Sequence, residues 1–167
     1  MKKILLLLLV SISISSCEKD DICTEETTPR LIVEFYDISN PANTKNVVNL
    51  KVKGEGALND LDLGTFNAQS KIELPLNPGS TTTKYSMILN STSTTVAPDE
   101  DFLEFNYTTE TVYVSRACGY KTVYTLNNID GVVLSDETTA GGLWMQNPTI
   151  QTNTITTENE THIKIYF

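Results

Sequence analysis

In stretch after stretch of the chain apolar and polar residues alternate one for one, the period of a strand with one buried and one wet face; helical spacing hardly occurs. Leu31, Val33 and Phe35 form one apolar row, and Ile72, Leu74 and Leu76 form another against Lys71 and Glu73. In the stretch 47–53, Val48, Leu50 and Val52 are expected to face inward and Asn49, Lys51 and Lys53 outward. Tyr85, Met87 and Leu89 share a face, as do Leu103, Phe105 and Tyr107. At the end, Ile163, Ile165 and Phe167 are expected inward, with His162, Lys164 and Tyr166 outward. The densest apolar stretch, TVYVSRACGYKTVYTL over 111–126, reads as one long bent strand or as two strands broken near Cys118-Gly119, where glycine lets the backbone bulge.

Turn signals separate these rows: Ser39-Asn40-Pro41, Gly54-Glu55-Gly56, Asn77-Pro78-Gly79 and Ala97-Pro98-Asp99. Their regular spacing predicts an all-β domain, a single antiparallel sandwich of immunoglobulin-like type with about seven to nine strands. The expected organisation is a leader over 1–16, a tether over 17–29 and the sandwich over 30–167.

The opening of the chain departs from this pattern. Basic Lys2 and Lys3 precede an unbroken apolar run from Ile4 to Val10, then serine and isoleucine alternate to Ser15-Ser16-Cys17. That order is a secretory signal, with an apolar part too short to span a bilayer comfortably. Cys17 sits where small residues give way to charge, and the stretch looks like a bacterial lipoprotein signal in which Cys17 is acylated. Several chains such as palmitate, at about 0.8 kcal/mol per buried methylene, would anchor it to the membrane. Lys19-Asp20-Asp21 resembles the Lys-acid-acid tag that sends Bacteroidota lipoproteins to the outer face of the outer membrane; the alternative is a plain solvated tether.

Charge narrows the partners. Removing the leader takes away two lysines and no acid, leaving 10 basic against 21 acidic residues, a net charge of −11. Such a balance argues against nucleic acid as a partner and against lying flat on an anionic membrane. With Cys17 committed to lipid, Cys23 and Cys118 remain. An even pair in an exported chain predicts a disulfide, worth roughly 4–5 kcal/mol for a loop of that length, with two free thiols as the alternative. Two thiols and one histidine leave a zinc ion short of ligands.

Catalytic signatures are scarce. His162 is expected on a wet face without partners, and Ser115-Arg116-Ala117-Cys118-Gly119 lacks a nucleophile elbow. Asn59-Asp60-Leu61-Asp62 and Pro98-Asp99-Glu100-Asp101 are acidic, and read as solvated turns more readily than as calcium loops. Arg116 is expected to find a carboxylate or an exposed face. The loop DETTAGGLWMQN, 136–147, holds the one tryptophan. Trp144 is a weak candidate for stacking on a sugar or anchoring a partner, and core filling is its ordinary alternative.

VYVSRACGYKT, together with HIKIYF at the end and RLIVEFYD after CEKDDIC, resembles a family of uncharacterised flavobacterial lipoproteins known only as a domain of unknown function. The resemblance covers Cys17 to Phe167 and implies a secreted, lipid-anchored β domain, with no activity, catalytic residue or cofactor to carry over. The expectation is a non-enzymatic binding or structural module of the outer membrane, at the cell surface, with an envelope protein or glycan as partner and no cofactor or metal. The rival is a surface hydrolase acting on glycan or peptide, which would need a cleft near Trp144 or a converging pair of buried carboxylates.

Overall fold

The alternating rows become strands. A computed structural model describes residues 22–24, 27–58, 61–136 and 142–167. The leader, Cys17 and Lys19-Asp20-Asp21 lie outside these, as do Asp60 and residues 137–141 of the tryptophan loop. The strands are β1 (Leu31–Asp37), β2 (Asn40–Thr44), β3 (Leu50–Glu55), β4 (Asp62–Phe66), β5 (Lys71–Leu74) and β6 (Thr82–Leu89). They continue as β7 (Asp99–Ser115), β8 (Gly119–Leu126), β9 (Val132–Asp136), β10 (Gln146–Ile150), β11 (Thr154–Ile155) and β12 (Ile163–Tyr166). One 3-10 turn, Gly56–Leu58, is the helical element among the described residues.

One sheet runs β10-β12-β1-β2 with β5 also on β1; the other runs β11-β8-β7-β6-β3-β4 with β9 also on β7. Pairing is antiparallel except between β1 and β12, which run parallel. The protein is therefore all-β, two sheets sharing one core. Strands among the described residues outnumber the expected seven to nine, and several are short, such as the two-residue β11 on the edge of β8.

The core takes Leu31, Val33, Phe35, Ile72, Leu74, Ile163 and Ile165 from the first sheet. It takes Leu50, Val52, Tyr85, Met87, Leu103, Phe105, Tyr107, Tyr124 and Leu126 from the second. A buried tyrosine needs a partner for its hydroxyl. Three find it in the segment after β5: Tyr85 donates to the carbonyl of Pro75, Tyr124 to that of Leu76 at 3.1 Å and Tyr107 to that of Asn77 at 2.9 Å. These bonds tie the second sheet to the connection between β5 and β6.

Two inward-outward assignments change. Val47 is buried and Val48 is 52% exposed, because Asn49 takes a left-handed φ of 50° and resets the alternation before β3 begins. His162 is buried, not wet. It lies just before β12, where its backbone N–H donates to Ile32 and its carbonyl accepts from Gln151, and these bonds turn its ring inward.

Candidate functional site

Three places test the sequence-derived candidates: the tryptophan loop, the buried titratable groups, and the hairpin that carries Cys118.

Trp144 fills the core. Its ring is 8% exposed, stacks on Phe35 and meets Phe167 edge-on, and its indole N–H donates to the carbonyl of Met87 at 3.1 Å. The expectation of Trp144 as a ligand-stacking surface is thereby corrected: its apolar faces are spent on neighbours and its one donor is satisfied.

Beside it, Asp101 is fully buried, and its Oδ2 accepts from the Met145 N–H at 2.8 Å. Burial pushes its pKa up to about 6, with Asp99 and Asp136 adding repulsion and the backbone N–H bonds opposing. The acidic run at 98–101 is thus no solvated turn but the start of β7. Adjacent strand residues point to opposite faces, so Asp101 faces in while Glu100 accepts from the Ser86 hydroxyl on the other side. In the other acidic run, Asp62 accepts from the Gly64 N–H at 2.8 Å and pairs with Lys51 at 3.2 Å. Among the described residues no group of three or more His, Cys, Asp or Glu could hold a metal ion. His162 accepts from the Ile32 N–H through Nδ1 at 2.9 Å, and burial lowers its pKa. Asp101 and His162 are both closed off from solvent, each holding a backbone N–H.

The hairpin is different. β7 and β8 stay paired from Tyr107–Leu126 out to Ser115–Gly119. Arg116, Ala117 and Cys118 make the turn, closed by Gly119 at a φ of 70° and by the Cys118 N–H donating to the Ser115 hydroxyl at 3.1 Å. A three-residue loop followed by a left-handed glycine is a favoured way to join two twisted strands. The stretch 111–126 is therefore two strands, and Arg116 is exposed at the apex.

β6 and β9 flank β7 no further than Asn106, so the outer half of the hairpin is a two-stranded ribbon. Such ribbons are marginal alone. This one is stapled. Cys118 forms a disulfide with Cys23, 95 residues earlier. The Thr122 N–H donates to the Thr28 hydroxyl at 3.0 Å, and Lys121 donates to the carbonyl of Thr156 at 3.2 Å. Two residues on, the Arg30 guanidinium grips Glu158 at 2.6 Å and Glu73 at 2.5 Å. Within the segment expected as tether, 17–29, Cys23 and Thr28 are held to the ribbon and Pro29 is buried.

Across the ribbon tip, Tyr113 and Tyr120 face each other edge-on with ring centroids 5.3 Å apart, 57% and 70% exposed. Sequence reasoning missed this pair. The pairing follows from a turn centred on Ala117, four residues from Tyr113 and three from Tyr120; a break at Cys118-Gly119, as read from the sequence, would not bring the two together. Concavities also occur among the described residues. One of about 340 Å³ lies between Thr27–Arg30 and Glu158, and another of about 430 Å³ lies along Asn127–Asp130 and Asn153.

No curated protein and no solved structure matches the chain. A family model described as a family of unknown function, DUF6452, matches residues 49–167. The match is shorter than the resemblance drawn from sequence, and it leaves out β1, the strand around which the first sheet is built. It spans most of the sandwich, including the stapled hairpin and the core around Trp144, and by it the chain belongs to that family of unknown function.

Proposed function

We propose that this chain is a lipid-anchored cell-envelope protein, acylated at Cys17, working at the outer surface of the outer membrane as a non-enzymatic binding or structural module. Its family of flavobacterial lipoproteins would share that role. The observation that carries the reading is the Cys23–Cys118 disulfide. A disulfide of this kind belongs to an oxidising, exported compartment, in agreement with the leader. It also fixes the start of the folded domain only six residues after Cys17. A staple at that point gives a short, firm link between lipid and domain.

The choice of a binding module over a hydrolase rests on what surrounds the candidate groups. Asp101 is the one buried carboxylate among the described residues, so no converging pair forms there. Trp144 packs against Phe35 and Phe167 instead of walling a cleft. An envelope protein or a surface glycan is the partner class that fits an exposed, acidic β domain.

Cys17→Ala tests the anchor. Wild-type protein should enter the detergent phase on phase partitioning and the variant should stay aqueous. Equal partition of the two would overturn the anchor. Surface exposure is read separately, by loss of the protein when intact cells are treated with protease. Crosslinking on intact cells then identifies the partner, and specific hydrolysis of a glycan or peptide by the purified protein would favour the rival reading.

A further inference from the structure

We propose that the tip of the β7–β8 ribbon rests in the lipid–water interface of the membrane that carries the Cys17 acyl chains, with Tyr113 and Tyr120 as the contacting side chains. The proposal rests on the anchor reading above and adds the surface that meets the bilayer.

Reach is the first argument. The disulfide joins Cys23 to Cys118, and Cys118 lies in the turn between the two tyrosines. Cys17 and Cys23 are six residue steps apart, and at about 3.5 Å each these span at most ~21 Å. The tip is therefore on a short leash to the lipid.

Chemistry is the second. Tyr113 and Tyr120 lie on the strand face that, at Tyr107 and Leu126, is core. Beyond the sandwich that face continues with exposed aromatic rings. A tyrosine has an apolar ring and a wet hydroxyl, the combination enriched where hydrocarbon meets headgroups.

Charge is the third. The mature chain is strongly acidic, yet residues 111–122 carry Arg116 and Lys121 and no acid. Arg116 sits exposed at the apex, where its long side chain can reach lipid phosphates. The sequence of the tether carries acids of its own, Glu18, Asp20 and Asp21, so the contact depends on the aromatic pair more than on net charge. Added salt should weaken it little.

The buried Trp144 supplies an internal control for a fluorescence test. Lipidated full-length protein carrying Tyr120→Trp is reconstituted into phosphatidylcholine vesicles with and without a lipid-borne quencher. Emission from the added indole should fall about twofold in quencher vesicles, as for an indole at the interface, while wild-type emission from Trp144 changes little. Adding Cys23→Ser and Cys118→Ser should release the tip and relieve the quenching while the protein still floats with the vesicles. A protein that floats with the vesicles but whose added indole is unquenched overturns the ribbon contact and leaves the anchor standing. Tyrosine crosslinks between copies in that same sample would reassign the tip to a second chain. Failure to float removes the anchor reading, and the ribbon contact with it.

Discussion

The two halves of β7 share one strand but not one environment. From Asp101 to Tyr107 every second residue is buried, with β6 on one edge and β9 on the other. From Thr108 to Ser115 the strand runs on without that alternation: the neighbour is β8 and the side chains are exposed or half-exposed. Thr111 to Val114 is as favourable to strand as Leu103 to Asn106. Burial is set by how many layers and neighbours meet a strand, not by its own residues. The inner half is stabilised by packing; the outer half is held by a covalent staple and two polar contacts.

The largest effect should come from breaking the inner half. Phe105→Ala removes a fully buried ring in contact with Tyr85, and should cost about 3–5 kcal/mol in urea unfolding. Next comes the staple. Cys23→Ser with Cys118→Ser frees a 95-residue loop in the unfolded state and should cost about 2–4 kcal/mol, the usual yield of a disulfide and below the chain-entropy ceiling of about 4–5 kcal/mol for a loop of that length. Hydrogen exchange should speed up over the ribbon and leave residues 101–107 protected, so uniform acceleration would mean that the two halves are one unit.

A smaller effect, opposite in sign, is expected at Asp101. Its folded pKa of about 6 lies above the ordinary 3.8, so the native state binds the extra proton across that interval. Stability contributed by the protonated form is present at low pH and lost as pH rises through about 6. Asp101→Asn keeps an acceptor for the Met145 N–H without the charge. It should stabilise the fold by about 1–3 kcal/mol at neutral pH and flatten the melting temperature between about pH 4 and pH 7. A variant less stable than wild type at neutral pH would mean that the carboxylate is needed in its charged form. The smallest effect is expected at the tip, where Tyr113→Thr should change stability by less than about 0.5 kcal/mol. A loss above that range would place the ring in a packed contact.

The fold class was legible because alternation is a property of the strand itself. Ile72, Leu74, Tyr85, Met87, Leu103 and Phe105 all lie on the side their period predicts. What escaped depends on contacts distant in sequence. The position of His162 is set by Ile32, 130 residues away, and that of Trp144 by Phe35 and Met87. Asp101 is a middle case. The Leu103, Phe105, Tyr107 row extended back by two reaches it, but its acidic neighbours gave it the look of a wet turn. The disulfide pairing followed from counting cysteines; the ribbon it supports did not, because turn position and register had first to be known.

The central claim is that the segment proposed to carry lipid at Cys17 and the ribbon tip are one covalent unit. The chain has arginine only at positions 30 and 116, so an arginine-specific protease divides the mature protein into 17–30, 31–116 and 117–167. Mass spectrometry of membrane-extracted protein, cleaved without reductant, tests the claim most directly. The account predicts 17–30 linked through Cys23 and Cys118 to 117–167, with acyl mass on Cys17. An unacylated 17–30, or Cys23 and Cys118 both alkylated without reduction, would contradict it.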